Sequence, residues 1–247
     1  DLRQPEQVEK CVKDLRPDAV IHMAAASDPN FCQEHEAVSE KINIQASTLF
    51  AELCRTRGIP FLFTSTDLVF DGTSAPYREQ DPVSPVSIYG RQKAIAEKKV
   101  LEIYPGSLVC RMPLMFGMAG PIASSILQPM LKAMAASTPL HLFEDEFRTP
   151  LSAPEACKGL LKVLPQASGM LHLGGPDRIS RYELGIAVKR AFNMKSAVLN
   201  AVPQNSIPMT APRPPDVSLN SDKARKFGFN PPGLEVQLKK LALSVSH

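Results

Sequence analysis

The sequence predicts an α/β fold built on a parallel sheet with a small α+β lobe, and three observations carry that reading. Short apolar runs at residues 19–26, 61–63 and 106–111 alternate with stretches of helical spacing, an order that packs as parallel strands covered by helices. The run Phe61, Leu62, Phe63 passes directly into Thr64, Ser65, Thr66 and Asp67, so a buried strand ends in a polar edge, where open α/β sheets place their chemistry. Beyond Gly117 the elements shorten, and Pro121, Pro129, Pro139, Pro150 and Pro154 punctuate them, as expected of an inserted lobe. The expected division is residues 1–117 as the sheet domain and residues 118–247 mainly as the lobe, with some segments returning to the sheet.

In chain order, Pro5 opens a helix whose Val8, Cys11, Val12 and Leu15 share one face, and Pro17 follows its end. Residues 19–26 read as a buried strand finishing in Ala24, Ala25 and Ala26. Residues this small let a flat ring approach the backbone, or let a helix pack closely on the strand. A long helical pattern runs from about Gln33 to Arg57 and is punctuated by Gly58 and Pro60. Asn43 lies inside it, where an asparagine is either exposed or has a task for its amide. After the strand at residues 61–63, Asp71-Gly72 and Asp81-Pro82 mark turns, and residues 88–101, rich in Ala, Glu, Lys and Gln, form a helix. Residues 106–111 and 169–175 read as further strands. Ser180 and Glu183 form a capping box ahead of a helix carrying Leu184, Val188 and Ala191.

Composition narrows the function. The 247 residues are 44% hydrophobic and 21% charged, as in a soluble globular chain with a large core. Its 28 basic residues are scattered among 25 acidic ones for a net charge of +3, so no basic stripe marks a nucleic-acid surface, and the slight excess suits an anionic ligand. Five cysteines without C-x-x-C spacing read as buried thiols of a reducing, cytoplasmic compartment rather than disulfides or zinc ligands. No run approaches the ~18 apolar residues of a membrane span. His22, His35, His141, His172 and His247 lack metal-binding spacing, and Gly-x-Ser-x-Gly is absent.

The chemical candidates are Thr66 at the strand end with Tyr89 and Lys93 on the following helix. Four residues apart, Tyr89 and Lys93 leave the same helix face. An ammonium one turn away favours the phenolate, bringing a group that titrates near ~10 toward neutral pH. With Leu68, Val69, Phe70, Asp71 and Gly72, then Pro76, Tyr77, Arg78, Glu79, Asp81, Pro82, Pro85 and Gly90, this stretch resembles the extended short-chain dehydrogenase/reductases. Within them it is most similar to the dTDP-4-dehydrorhamnose reductase branch, over nearly the whole chain. That branch includes the regulatory beta subunit of methionine adenosyltransferase.

The resemblance implies a Rossmann-type doubly wound domain binding NADPH, or NADH, and a lobe binding a 4-keto sugar nucleotide in deoxysugar biosynthesis. It makes Thr66, Tyr89 and Lys93 catalytic, with Tyr89 as proton donor and Thr66 bonded to the same carbonyl oxygen. It assigns cofactor contacts to Asp1, Leu2, Ala24, Ala25, Ala26, Asn43, Thr64, Ser65, Arg111 and Pro113, besides Tyr89 and Lys93. Asn43 would hold a water or the lysine backbone. Substrate contacts fall to Asp67, Val69, Phe70, Arg148 and Arg213; an Arg at position 213 can pair with a diphosphate or be a plain surface charge. Implied partners are a second copy of the chain or, for a regulatory subunit, a methionine adenosyltransferase catalytic subunit. An epimerase or dehydratase of the wider family is a further alternative, disfavoured by Thr66-Asp67 and the segment Pro76 to Glu79.

One departure stands out. Family members begin with a strand, a glycine-rich turn and a helix N-terminus that holds the pyrophosphate, whereas the first glycine here is Gly58. Asp1 and Leu2 match the end of the family's third strand, so roughly two βα units, on the order of 50 residues, are expected to precede this sequence in a longer protein. A natural chain starting here would leave strand edges unpaired.

Overall fold

The computed structural model describes residues 1–120 and 125–245, so Pro121 and His247 fall outside the described residues. Its elements run α1 (Pro5–Leu15), β1 (Val20–His22), α2 (Pro29–Glu34), α3 (Glu36–Glu40), α4 (Ala46–Arg57), β2 (Phe61–Thr66), α5 (Ile88–Ile103), β3 (Leu108–Met112), β4 (Met115–Phe116) and α6 (Leu127–Ala135). They continue with β5 (Leu140–Phe143), β6 (Phe147–Arg148), β7 (Leu151–Ser152), α7 (Ala153–Val163), β8 (Gly169–His172), β9 (Ile179–Ser180), α8 (Arg181–Ala191), β10 (Leu199–Val202), α9 (Asp222–Arg225) and α10 (Leu234–Val245).

Strands β1, β2, β3 and β8 form a parallel sheet in that order, with Ile21 opposite Leu62, Thr64 opposite Cys110 and Arg111 opposite His172. The α/β class and the parallel sheet are as the sequence predicts. Every residue of β2 is buried because both faces of the sheet are covered, which is why its apolar run is continuous. Leu62, Cys110 and Leu171 pack under α7 with Leu160 and Phe229. On the other face Phe61, Phe63 and Val109 meet Ala51, Ala96 and Val100 of α4 and α5. A second core joins α6, α8 and α10 through Leu127, Met134, Leu184, Val188 and Leu238. Beside it lie the small pairs β5–β10, β4–β7 and β6–β9. Chain from beyond Gly117 thus also supplies α7 and β8 to the main sheet.

Local chemistry explains the element ends. Gly58 closes α4 at φ 65°, a left-handed cap that suits glycine. The capping box of α8 is present: Ser180 N donates to Glu183 Oε2 at 2.7 Å and Glu183 N to Ser180 Oγ at 3.1 Å. Four expectations need correction. The apolar face of α1 is narrower than its spacing suggests, since Val8 and Val12 are buried while Cys11 and Leu15 are exposed. The strand expected through Ala26 stops at His22, because both backbone groups of Ala26 are bonded to Asn43 and cannot pair with β2. The long helix from Gln33 to Arg57 is broken at His35 and carries a π-helical turn at Lys41–Gln45. All five cysteines are free, but Cys11 and Cys157 are exposed rather than buried. Among the described residues no helix is long and apolar enough to cross a membrane.

Candidate active site

The site lies where β1 and β2 end and α5 begins. Thr66 finishes β2, and its hydroxyl accepts from Leu68 N at 3.2 Å, capping the short turn Asp67–Val69. Ser87 caps α5 by accepting from Gly90 N at 3.2 Å. A Cβ on Gly90 would stand 2.1 Å from Leu68 O, so only glycine lets α5 start directly against the turn after β2. That close approach sets Tyr89, in the first turn of α5, beside Thr66 and Asp67.

Lys93, one turn further along, is 2% exposed. Its ammonium donates to Thr64 O at 2.7 Å and lies 3.9 Å above the Phe63 ring. Burial draws its pKa down to about 7. The expectation that Lys93 pulls Tyr89 toward the phenolate is not met. Burial first, then the Asp67 carboxylate, hold Tyr89 above its ordinary range, with hydrogen bonding to Thr66 pulling the other way. Tyr89 therefore carries its proton at neutral pH and can act as an acid. Thr66 Oγ1 stands 3.2 Å from Asp67 Oδ1 and also bonds the Tyr89 phenol, so its hydroxyl is shared between the two.

The remaining expected cofactor residues separate into groups. Ala24 is exposed and Ala25 and Ala26 are half-buried in the loop after β1, while Thr64 Oγ1 donates to His22 O at 3.2 Å across the strands. Ser65 Oγ is buried without a partner. Lys93 makes one hydrogen bond with an ammonium that has three donors. An orphaned hydroxyl, spare ammonium donors and a shelf of small residues at one sheet edge fit the nicotinamide and ribose end of a dinucleotide.

Asn43 has a different task from the one expected. Its Oδ1 accepts from Ala26 N at 2.9 Å, and its Nδ2 donates to Ala26 O at 3.1 Å and to Gln92 Oε1 at 2.9 Å. Arg111 is a core residue: its guanidinium meets Glu97 through two bonds of 2.9 and 2.8 Å and stands 3.2 Å from His172 Nε2. Pro113 follows, buried, at the end of β3. Asp1 is exposed and paired with Arg3, and Leu2 borders a surface depression with Lys41, Gln45 and Leu49.

Of the expected substrate residues, Val69 and Phe70 are fully buried, Phe70 stacked 4.0 Å from Tyr77. They build the core beneath the site. Asp67 is also fully buried and is held by Arg148, whose Nε donates to Oδ2 at 2.6 Å and whose Nη2 bonds Oδ1. Arg148 and Arg181 share Glu146, at 3.7 and 3.8 Å. Arg213 donates from Nη2 to Asn30 Oδ1 at 3.3 Å, and its Nη1 is buried without a partner. Burial pulls the pKa values of Arg181 and Arg213 down, and the charge of Arg148 adds to this in both. Three guanidiniums set against two buried carboxylates, Asp67 and Glu146, leave an excess of one positive charge and an unmatched donor, a setting suited to an anionic group. Glu146, Arg181 and Gln92 are absent from the sequence-based candidates. Arg181 carried a signal, since an arginine in a first helical turn opposes the helix dipole and implies a task elsewhere. Among the described residues no cluster of His, Cys, Asp and Glu could hold a metal.

A family model described as RmlD substrate binding domain matches residues 1–246. Methionine adenosyltransferase 2 subunit beta of Xenopus laevis is 28% identical over 236 residues, covering 93% of this chain and 70% of that protein. A probable low-salt glycan biosynthesis reductase of Haloferax volcanii is also 28% identical, over 100% of this chain and 84% of its own length. The dTDP-4-dehydrorhamnose reductase of Bacillus anthracis, solved in complex with NADP, superposes with a TM-score of 0.92 at 22% identity, covering 99% of this chain and 86% of that one. This last likeness shows the fold.

Proposed function

The chain belongs to the RmlD substrate binding domain family, and on that footing we propose that it is a nicotinamide-dependent reductase of a 4-keto sugar nucleotide, acting in deoxysugar biosynthesis. The observation that carries this reading is the placement of a protonated Tyr89 against Thr66, with the Lys93 ammonium buried one turn away at the same sheet edge.

NADPH or NADH, when bound, supplies a hydride to the carbonyl carbon. As the C=O π electrons pass to oxygen, Tyr89 gives that oxygen its proton, leaving an alcohol and a phenolate. Lys93 holds the end of β2 through Thr64 O, and its remaining donors would hold the ribose hydroxyls of a bound dinucleotide. Ser65 Oγ supplies a further hydrogen bond. Thr66 orients Tyr89, and Asp67 keeps the phenol protonated until the oxyanion forms. Arg213, backed by Arg181 and Arg148, faces the diphosphate of the sugar nucleotide, an assignment supported by its unpartnered Nη1. In this reading residues 118–247 mainly carry the substrate lobe, the free thiols fit the cytoplasm, and the chain pairs with a second copy.

Lys93→Met tests the dual role. Losing charge-assisted hydrogen bonds worth about 1.5–3 kcal/mol raises the Kd for the dinucleotide by roughly ten- to a hundredfold and lowers kcat as well. Calorimetric titration beside steady-state kinetics reads both, and unchanged dinucleotide affinity removes Lys93 from that role. A second reading, a regulatory subunit that binds a methionine adenosyltransferase catalytic subunit, is favoured by the Xenopus laevis relative. Co-elution with such a subunit, together with no turnover of sugar nucleotides, would establish it.

A further inference from the structure

Gln92 lies between Tyr89 and Lys93 on α5, yet it faces away from β2 and is 2% exposed. Its side-chain amide is fully engaged. Oε1 accepts from Asn43 Nδ2 at 2.9 Å, and Nε2 donates to Ser39 Oγ at 2.9 Å and to Glu36 O at 3.2 Å. Asn43 in turn grips both backbone groups of Ala26, and Cys32 Sγ adds a bond of 3.1 Å to Ala26 O. Asn43 sits in the π-helical turn Lys41–Gln45, a distortion that often marks functional positions in helices.

The helix bearing Tyr89 is thus pinned on two sides. Lys93 ties it to the end of β2, and Gln92 ties it through Asn43 to the loop after β1. We infer that Gln92 is a positioning residue: through Asn43 it fixes the loop at residues 24–26 against α5, setting the width of the cleft that receives the nicotinamide. Its task in turnover rests on the reductase reading; its hold on the loop does not. A buried amide network of this kind rigidifies when every member is satisfied and loosens when one is removed. Removing Gln92 takes away the acceptor that ties Asn43 to α5, so Asn43 keeps Ala26 but loses its anchor on the helix, and the loop loosens while the sheet stays intact.

The test compares the wild-type protein with Gln92→Met, which keeps the side chain's length and removes its amide. Hydrogen exchange at the Ala26 amide is expected to be about tenfold faster, the scale of losing one buried hydrogen bond, with the β2 amides unchanged. In the active reductase the KM for NADPH rises by about the same factor, while that for the sugar nucleotide stays within about twofold. Ala26 exchange at the wild-type rate overturns the inference. Equal acceleration of all amides also overturns it, by showing a general loss of stability. If Gln92→Met does not fold, Ser39→Ala removes one Gln92 partner and must accelerate Ala26 exchange in the same direction. A wild-type protein without turnover defeats the reductase reading alone, and the exchange measurement still decides the role of Gln92.

Discussion

In the full-length protein, Tyr89→Phe is expected to lower turnover by about two to four orders of magnitude, the range for removing a positioned acid, while dinucleotide affinity stays within about twofold of wild type. The phenyl ring still fills the buried space against Val69 and Phe70, so the fold is retained. Only the proton is lost. Without it the developing alkoxide has no acid, because the neighbouring Thr66 hydroxyl can hydrogen-bond but is too weak an acid to give up its proton. Steady-state rates with a 4-keto sugar nucleotide, alongside thermal melts, separate the two effects. A Tyr89→Phe variant within about tenfold of the wild-type rate would remove Tyr89 from the chemistry.

The largest expected loss of stability comes from Arg111→Met. Both partners of the Arg111–Glu97 pair have only 5% of their side-chain surface exposed. Taking the guanidinium away leaves the Glu97 carboxylate buried without its cation, a change that costs about 3–5 kcal/mol. In a chain of this size that is a fall in Tm on the order of 10 °C. The resemblance implied a cofactor contact for Arg111, and the two roles separate in one experiment. A structural Arg111 lowers Tm, and the double variant with Glu97→Met recovers part of it, since no lone charge remains. A side chain that held the dinucleotide would instead raise its Kd at nearly unchanged Tm.

Where the determinants are local, the sequence is a good guide. Helix α1 begins at Pro5 and ends at Leu15 as its spacing indicates, and the Ser180–Glu183 capping box forms. Strand β2 and helix α5 deliver Thr66, Tyr89 and Lys93 to one edge because their patterns are strong and a single glycine, Gly90, permits their contact. Distant partners were not legible. The strand at β1 stops early because Asn43, 17 residues on, takes the Ala26 backbone. Arg111 is claimed by Glu97, 14 residues away on another element, and Asp67 by Arg148, 81 residues away.

Helix spacing alone places Tyr89 one turn from Lys93 and predicts a phenol whose pKa is lowered toward neutral pH. Burial and the Asp67 carboxylate, which spacing does not reveal, decide the opposite. The role expected of Tyr89, a proton donor, is unchanged, since a phenol held above its ordinary range still carries its proton at neutral pH. Gln92 carries no signal of its own in the sequence, and only the packing of α5 against the π-helical turn shows what its amide holds.

The most direct measurement follows the hydride itself. The full-length protein is incubated with NADPH carrying deuterium at nicotinamide C4 and with dTDP-4-dehydrorhamnose, and the sugar product is examined by mass and proton resonance. The expected result is one deuterium at sugar C4 from a single face of the nicotinamide, with equimolar NADP formed, and transfer abolished by Tyr89→Phe. Neither NADPH consumption nor label in any 4-keto sugar nucleotide, from wild-type protein that co-elutes with a methionine adenosyltransferase catalytic subunit, would contradict the reductase assignment and establish the regulatory one.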